Sequence, residues 1–290
     1  MGFSVTKRFE QKIISGILDR ALAEDLGRQG DITSRAIFSP TETARAVIRS
    51  KSSGVLSGVS LVARIFGKID RRVQVRPLLR DGAALAPGMK ICLLSGPVRA
   101  ILAGERTVLN FLQRLSGIAT LTAHYARAIA HTRARLLDTR KTTPGLRLLE
   151  KQAVLHGGGG NHRFGLYDMV LIKDTHVKRA GGTARALELA LRARGKARTP
   201  KIEVEVQTIP EFEQALIGGP DRIMLDNMSV RDMRACVEKA TASGSLIELE
   251  ASGNVTLKTI AAVAETGVNF ISSGSITHSA PALDIHLLII

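Results

Sequence analysis

Two short apolar runs, Leu136-Leu137 and Met169-Val170-Leu171-Ile172, each end in charge. Asp138, Arg140 and Lys141 follow the first, and Lys173 closes the second. Between them a glycine run, Gly157–Gly160, leads into Asn161, His162 and Arg163. If both runs are strands, Arg140, Lys141, Arg163 and Lys173 gather at their ends. Such a cluster repels itself unless something anionic sits in its middle. Arginine offers a planar fork to carboxylate or phosphate, and lysine a compact charge. The chemistry this suggests is the binding of a polyanionic small molecule. The competing reading is structural pairing with Glu203, Glu205 or Glu250.

Carboxylates supply the second half of a candidate site. Glu205 and Asp226 fall at the ends of two later apolar runs. There they could hold Mg²⁺ or sugar hydroxyls, act as acid and base, or only balance the nearby cations. Gly253-Asn254 and Ser273-Gly274-Ser275 follow the last two such runs, where phosphate often binds at loops and helix N-termini, although ordinary turns look the same. Gly157–Gly160 could form an anion nest or simply stop a helix; it lacks the Lys-Ser/Thr of a P-loop. His162 and His278 are expected in loops at the same mouth, whereas His124 and His131 fall on a helix. No His/Cys/Asp spacing suggests zinc. Cys92 and Cys236 have no motif around them, so no nucleophile can be argued.

The elements that must position these residues follow from periodicity. After residue 134 the rhythm is strand, helix, strand. Strand candidates fall at 135–138, 169–173, 202–206, 222–226, 246–250 and 269–273, with helices predicted at 144–155, 182–194, 209–217, 229–242 and 254–266. Thr143-Pro144 and Asn254 read as helix starts. This alternation demands a parallel sheet with helical crossovers. Glu203 and Glu205 alternate with Ile202, Val204 and Val206, and Glu248 and Glu250 flank Leu249 in the same way. Strands of an open doubly wound sheet tend to be apolar throughout. Charge on one face of each strand favours a barrel whose mouth collects Arg140, Lys173, Glu205, Asp226, Ser252 and Gly274.

The first part of the chain reads differently. Residues 7–26 keep helical spacing, Gly30-Asp31-Ile32-Thr33 looks like a turn, residues 44–49 alternate as a strand, and a helix is predicted near 58–67. Closely spaced turn signals over 73–100 favour antiparallel strands, the last of them containing Val98-Arg-Ala-Ile. Helical spacing returns over 102–130, with Gly117 interrupting it.

Composition bounds the partners. The chain has 290 residues, a formal net charge of +15, no Trp, two Tyr and eight Phe. So few aromatic side chains argue against base stacking, and no nucleic-acid reading motif occurs. The basic run 192–201 reads as solvated surface. No apolar run is long enough to span a bilayer, and the N-terminus is not patterned as a signal peptide. Met1-Gly2-Phe3-Ser4-Val5-Thr6 fits only the bare, permissive myristoylation pattern. Two cysteines are too few for a disulfide framework, so a reducing cytoplasm is expected.

Longer motifs carry a resemblance. Asp138-Thr-Arg-Lys-Thr-Thr-Pro-Gly145, Gly158-Gly-Gly-Asn-His-Arg163, Leu171-Ile-Lys-Asp174, Leu225-Asp-Asn227, Glu250-Ala-Ser-Gly253 and Thr277-His-Ser279 resemble the quinolinate phosphoribosyltransferases. Glu24-Asp-Leu-Gly27, Gly30-Asp-Ile-Thr-Ser34 and the stretch from Glu105 to Gly117 extend the match over nearly the whole chain. The resemblance implies an α/β fold: an N-terminal α/β sandwich over 1–116, rejoined by the tail 276–290, and an incomplete TIM-like barrel of about six parallel strands over 117–275. It implies quinolinate and phosphoribosyl pyrophosphate as substrates, nicotinate mononucleotide, pyrophosphate and CO₂ as products, and a homodimer. Arg140, His162, Arg163 and Lys173 would contact the quinolinate carboxylates, with Arg106 reaching in from the other subunit and Thr139 beside them. Lys141 would meet the donor. Glu205 and Asp226 would hold the ribose and the Mg²⁺ that accompanies the donor, so Lys141, Glu205 and Asp226 are the catalytic candidates. Ser252, Gly253, Asn254, Ser273, Gly274, Ser275 and His278 would line the phosphate side. Three positions depart from the family pattern: Asn254 stands where Gly is frequent, Thr175 where Asn is common, and Ser275 where a small apolar residue is expected. A homologue of shifted specificity, such as the molybdenum-operon relative, is the alternative reading.

Overall fold

The computed structural model describes residues 7–197 and 199–290. The myristoylation pattern at residues 1–6, and Arg198 of the basic run, lie outside them. The chain divides into two compact units. One comprises 7–123, 142–158 and 276–290 among the described residues, and the other 124–141 and 159–275.

The first unit opens with α1 (Lys7–Leu26) and the one-and-a-half-turn α2 (Ile32–Ile37), followed by β1 (Thr43–Ser50), β2 (Gly54–Val55), α3 (Val59–Ile69), β3 (Gln74–Pro77), β4 (Ala84–Leu85), β5 (Lys90–Pro97) and the long α4 (Val98–Ala128). The expected turn at Gly30–Thr33 is instead the start of α2: the Asp31 carboxylate accepts the Ser34 N–H at 3.0 Å and caps it. α3 forms because Val59, Leu61, Val62, Ile65 and Phe66 fall on one stripe, all buried. Val98 and Ile101 were expected in a strand, yet they belong to α4. Four alternating residues fit either element, and the spacing of three between the two buried side chains decides for helix. Gly117 does not interrupt α4. Its missing side chain lets the backbone of Pro281 approach, where a Cβ would lie 2.0 Å from the Pro281 carbonyl oxygen.

The second unit holds β6 (Arg135–Leu137). The chain then passes through α5 (Arg147–His156) of the first unit and returns for β7 (Val170–Ile172), α6 (Asp174–Ala180), α7 (Thr183–Arg194), β8 (Ile202–Val206), α8 (Ile209–Gly218), β9 (Arg222–Asp226), α9 (Val230–Ala242), β10 (Glu248–Ser252), α10 (Ile260–Ala264) and β11 (Phe270–Ser272). After α11 (Ser275–His278), β12 (Ile285–Ile289) closes the chain in the first unit. There it pairs antiparallel with β1, giving the order β12-β1-β5-β3.

The second sheet is parallel throughout, in the order β6-β11-β10-β9-β8-β7. Its six strands are the six read from the sequence, with β10 displaced two residues onward. Because two residues is one full pleat period, Glu248 and Glu250 keep the predicted face. α8 starts at a reciprocal cap: Thr208 Oγ1 accepts the Glu211 N–H, and the Glu211 carboxylate accepts the Thr208 N–H.

Two helix starts differ from the sequence reading. α5 begins at Arg147 rather than at Pro144, because Gly145 sits at φ +82°, outside the helical region. Thr143 instead donates both its N–H and its hydroxyl to Glu150 in the first turn. Asn254 does not cap a helix at Val255. It lies at φ +44° after Gly253 at +88°, and α10 starts only at Ile260. The expected single helix over 182–194 is preceded by α6, separated from it by Gly181 and Gly182, both at positive φ.

Candidate active site

Strand register decides which side chains share the inner face of the parallel sheet. Glu203, Arg222 and Glu248 stand side by side on β8, β9 and β10; one pleat further on stand Glu205, Met224, Glu250 and Phe270; beyond them stand Asp226 and Ser252. The sheet is curled rather than flat. His162, in the segment that runs beside β6 through the Leu137–Gly160 bridge, reaches Glu203 on β8 and Glu250 on β10. Together these features make the sheet an incomplete barrel whose inner face is charged.

Arg140 and Lys141 follow the C-terminal end of β6 and Lys173 that of β7, but these are the two edge strands of the sheet rather than neighbours, and Arg163 lies in the loop between them. Arg140 and Arg163 are half-buried; Lys141 and Lys173 are exposed. Burial holds the Arg163 guanidinium below its usual range, and the Arg140 charge pushes the same way, against Asp168 and Glu203. Two like charges held this close, partly out of water, favour an anionic ligand. Arg163 Nη1 donates to the Met169 carbonyl at 3.2 Å, and Asp168 fixes the intervening loop by accepting the Phe164 and Gly165 N–H groups. Thr139 Oγ1 accepts the Lys141 N–H at 3.0 Å, shaping the turn that presents Lys141.

Part of the structural pairing raised as an alternative is also present. Lys173 Nζ lies 2.8 Å from Glu205 Oε2. Asp226, on the strand next to that of Glu205, accepts from the Gln207 and Asn227 side-chain amides at 3.3 and 2.9 Å. Among the described residues no donor bonds Glu205 Oε1 or Asp226 Oδ1. Hard carboxylate oxygens of this kind suit Mg²⁺.

The late loops form a connected polar rim. Asn254 Nδ2 donates to Asn227 Oδ1 at 3.1 Å, and Asn227 donates on to Asp226. A Cβ at Gly253 would lie 2.2 Å from Asn227 Oδ1, so this position accepts only glycine. Asn254 occupies a left-handed conformation, which Gly and Asn both tolerate; its departure from the family pattern therefore leaves the backbone unstrained. Ser275 Oγ lies 2.7 Å from Ser273 Oγ and 3.1 Å from the Tyr125 hydroxyl. Ser252, Gly253, Asn254, Ser273, Gly274 and Ser275 all belong to the barrel unit. Arg106, on α4, and His278, on α11, belong to the other and are exposed.

Sequence reasoning passed over Arg222. It is buried, stacks 3.9 Å over the Phe270 ring, and reaches Glu250 at 2.8 Å and Glu248 at 3.0 Å. Its alternation with Met224 and Asp226 was the available signal. His162, Glu203 and Glu250 offer three ligand atoms within 4.8 Å of one another, but Arg222 already supplies positive charge to Glu250. Burial, opposed by Arg222, the Glu250 hydrogen bond and Arg163, pushes the Glu203 carboxyl up to about 7; burial and the Glu203 charge bring Glu250 to about 7 as well. The cysteines are unreactive by environment, since burial pushes the Cys92 thiol up to about 12 and Cys236 up to about 11.

A curled parallel sheet whose strand ends carry a cation cluster beside carboxylates defines an α/β-barrel protein with a cationic mouth. The chain belongs to the quinolinate phosphoribosyltransferase family: residues 31–116 match that family's N-terminal domain and residues 118–288 its C-terminal domain. It is 43% identical over 271 residues to a Bacillus subtilis protein named probable nicotinate-nucleotide pyrophosphorylase (carboxylating), covering 93% of this chain and 91% of that one. Identity to the Nicotiana tabacum quinolinate phosphoribosyltransferase (decarboxylating) 1b is 42% over 289 residues, covering 95% and 82%. The solved structure of the nicotinate-nucleotide pyrophosphorylase from Francisella tularensis superposes with a TM-score of 0.90 at 38% identity, over 96% of each chain. No helix among the described residues is long and apolar enough to cross a membrane.

Proposed function

We propose that this protein transfers the phosphoribosyl group of phosphoribosyl pyrophosphate to quinolinate, releasing pyrophosphate and CO₂ and forming nicotinate mononucleotide. The observation that carries this reading is the like-charge pair Arg140 and Arg163, half-buried beside Lys141 and Lys173 at the strand ends of a chain from this family. Quinolinate brings two carboxylates and the donor several phosphate charges, which together answer the cluster. Arg140, Arg163 and Lys173 hold the pyridine dicarboxylate, Lys141 the donor, and the rim from Ser252 to Asn254 and from Ser273 to Ser275 the phosphate side.

Loss of pyrophosphate builds positive charge on the ribose, as in glycoside cleavage. A carboxylate in place beforehand stabilises it. Glu205 is that group, aimed by Lys173 at 2.8 Å. The ribose carbon then bonds to the ring nitrogen, the cationic ring stabilises the electron pair left when CO₂ departs, and a proton from solvent takes the place of CO₂ on that ring carbon. The protein's share is orientation and electrostatics. Glu205 and Asp226 would hold Mg²⁺ with the donor, where it neutralises phosphate charge. In the working homodimer Arg106 completes the neighbouring site, and the reaction takes place in the cytoplasm. The test is formation of nicotinate mononucleotide from quinolinate, phosphoribosyl pyrophosphate and Mg²⁺; folded protein that yields none overturns the proposal.

A further inference from the structure

Within the first unit, Arg114 on α4 and Glu150 on α5 form an ion pair: Glu150 Oε1 accepts from Arg114 Nε at 3.2 Å and from Nη2 at 3.0 Å. Glu150 is wholly buried and Arg114 partly exposed. The pair grips two further segments of the same unit. On one side Thr143 donates its N–H to Glu150 Oε2 at 3.1 Å and its hydroxyl to Oε1 at 2.7 Å. On the other, Arg114 Nη2 donates to the Thr277 carbonyl at 2.7 Å and Nη1 to the Ala280 carbonyl at 3.1 Å, closing the C-terminal end of α11. Each segment lies just past a crossing of the chain between the two units, at Lys141/Thr142 and at Ser275/Ile276. Lys141 stands two residues before Thr143, and His278 stands between the two held carbonyls.

We propose that Arg114 is a positioning residue for the phosphoribosyl donor: with Glu150 it fixes the backbone that carries Lys141 and the backbone that carries His278, two side chains expected against that substrate. The inference rests on the phosphoribosyltransferase reading. Neither Arg114 nor Glu150 is assigned to substrate, so they act through the segments they hold. A tie between α4 and α5 alone does not account for them, because packed apolar side chains in place of a buried ion pair are often as stable or more so. The guanidinium instead spreads its donors over Glu150, Thr277 and Ala280 at once, a fork that lysine cannot reproduce. Between Leu137 and Arg147 the chain forms no helix or strand, so its path after Lys141 is set by hydrogen bonds such as those from Thr143. His278 Nδ1 lies 2.7 Å from Ser279 Oγ, so the backbone held at Thr277 and Ala280 also sets where its ring points.

The test is steady-state kinetics on Arg114→Lys, Thr143→Val and Thr143→Ser, with wild type in parallel and each substrate varied in turn. Arg114→Lys keeps a cation beside Glu150 but loses the fork; the expected result is a KM for phosphoribosyl pyrophosphate raised about tenfold, with the KM for quinolinate within about twofold. Thr143→Val removes one hydroxyl and should raise the same KM about threefold, whereas Thr143→Ser keeps the hydroxyl and should keep the wild-type constants. Should Arg114→Lys not fold, the Thr143 pair decides alone. An unchanged donor KM in Arg114→Lys or Thr143→Val overturns the proposal. So does an equal rise in both KM values, or a Thr143→Ser as impaired as Thr143→Val, either of which marks a merely structural role. An inactive wild type instead strikes the function reading, and is thereby told apart from a failure of the positioning role.

Discussion

Burial, together with the Arg140 charge, disfavours the charged Arg163 guanidinium against the pull of Asp168 and Glu203, a setting in which an added anion is stabilising. Removing one charge-assisted contact from such a site costs about 1.5–3 kcal/mol. Arg140→Ala and Lys173→Ala are therefore expected to weaken quinolinate binding by about 10- to 100-fold, read by titration calorimetry; near-normal affinity would refute their roles. The interior carboxyls give a second expectation at this scale. Glu203 and Glu250 are both raised to about 7, chiefly by burial, and they face His162, Arg163, Arg222 and Glu248. A carboxyl with a raised folded pKa binds its proton more tightly in the native state. Its stabilising contribution is complete below the unfolded value near 4.5 and is lost as pH rises through about 7. Because the two are coupled, they act as one site. Unfolding free energy should fall by at most about 1.4 kcal/mol per pH unit across that window. Denaturant melts from pH 4.5 to 7.5 measure this, and Glu203→Leu should flatten the slope.

At the scale of elements, the turn after β10 and the start of α8 make contrasting predictions. Gly253 combines φ +88° with a position where a Cβ would strike Asn227, the residue that holds Asp226. Gly253→Ala should displace the Asp226 rim and raise the donor KM, with a stability loss of about 1–3 kcal/mol. Thr208→Ala removes only a helix cap and should cost about 1 kcal/mol in a denaturant melt. Its kinetic constants should match wild type, since Thr208 lies outside the residues assigned to substrate. The elements were largely legible beforehand. All six parallel strands were found because short apolar runs alternating with helical spacing leave few alternatives. What escaped were the ends: the starts of α5 and α10, and the turn between α6 and α7, are set by glycine or asparagine at positive φ. Neither residue type announces its conformation in a single sequence.

For the whole molecule, the expectation is assembly. If Arg106 of one protomer completes the site of the other, the protein sediments as a dimer. Arg106→Ala and Lys173→Ala, each impaired alone at quinolinate concentrations near the wild-type KM, should then regain activity when co-expressed, because a mixed dimer carries one intact site. Failure to complement, or a monomer of full activity, would exclude the shared site. The formal charge of +15 bears on solution behaviour more than on the reaction. Pairs such as Lys173–Glu205 and Arg222–Glu250 already cancel within that count, so the excess lies in the remaining basic side chains.

The sequence by itself determined the periodicities, hence the parallel sheet, and the residue types at its strand ends, hence the anionic ligand and the family. Those are local properties, carried by spacing and by chemical identity. Tertiary structure decided which charges meet. Glu203 and Glu250 lie far apart in sequence, and only the register across β8, β9 and β10, together with the curl of the sheet, brings them to one imidazole. His162 illustrates the division. Its place in the loop was readable, but the direction of its ring depends on hydrogen-bond partners that folding alone assembles.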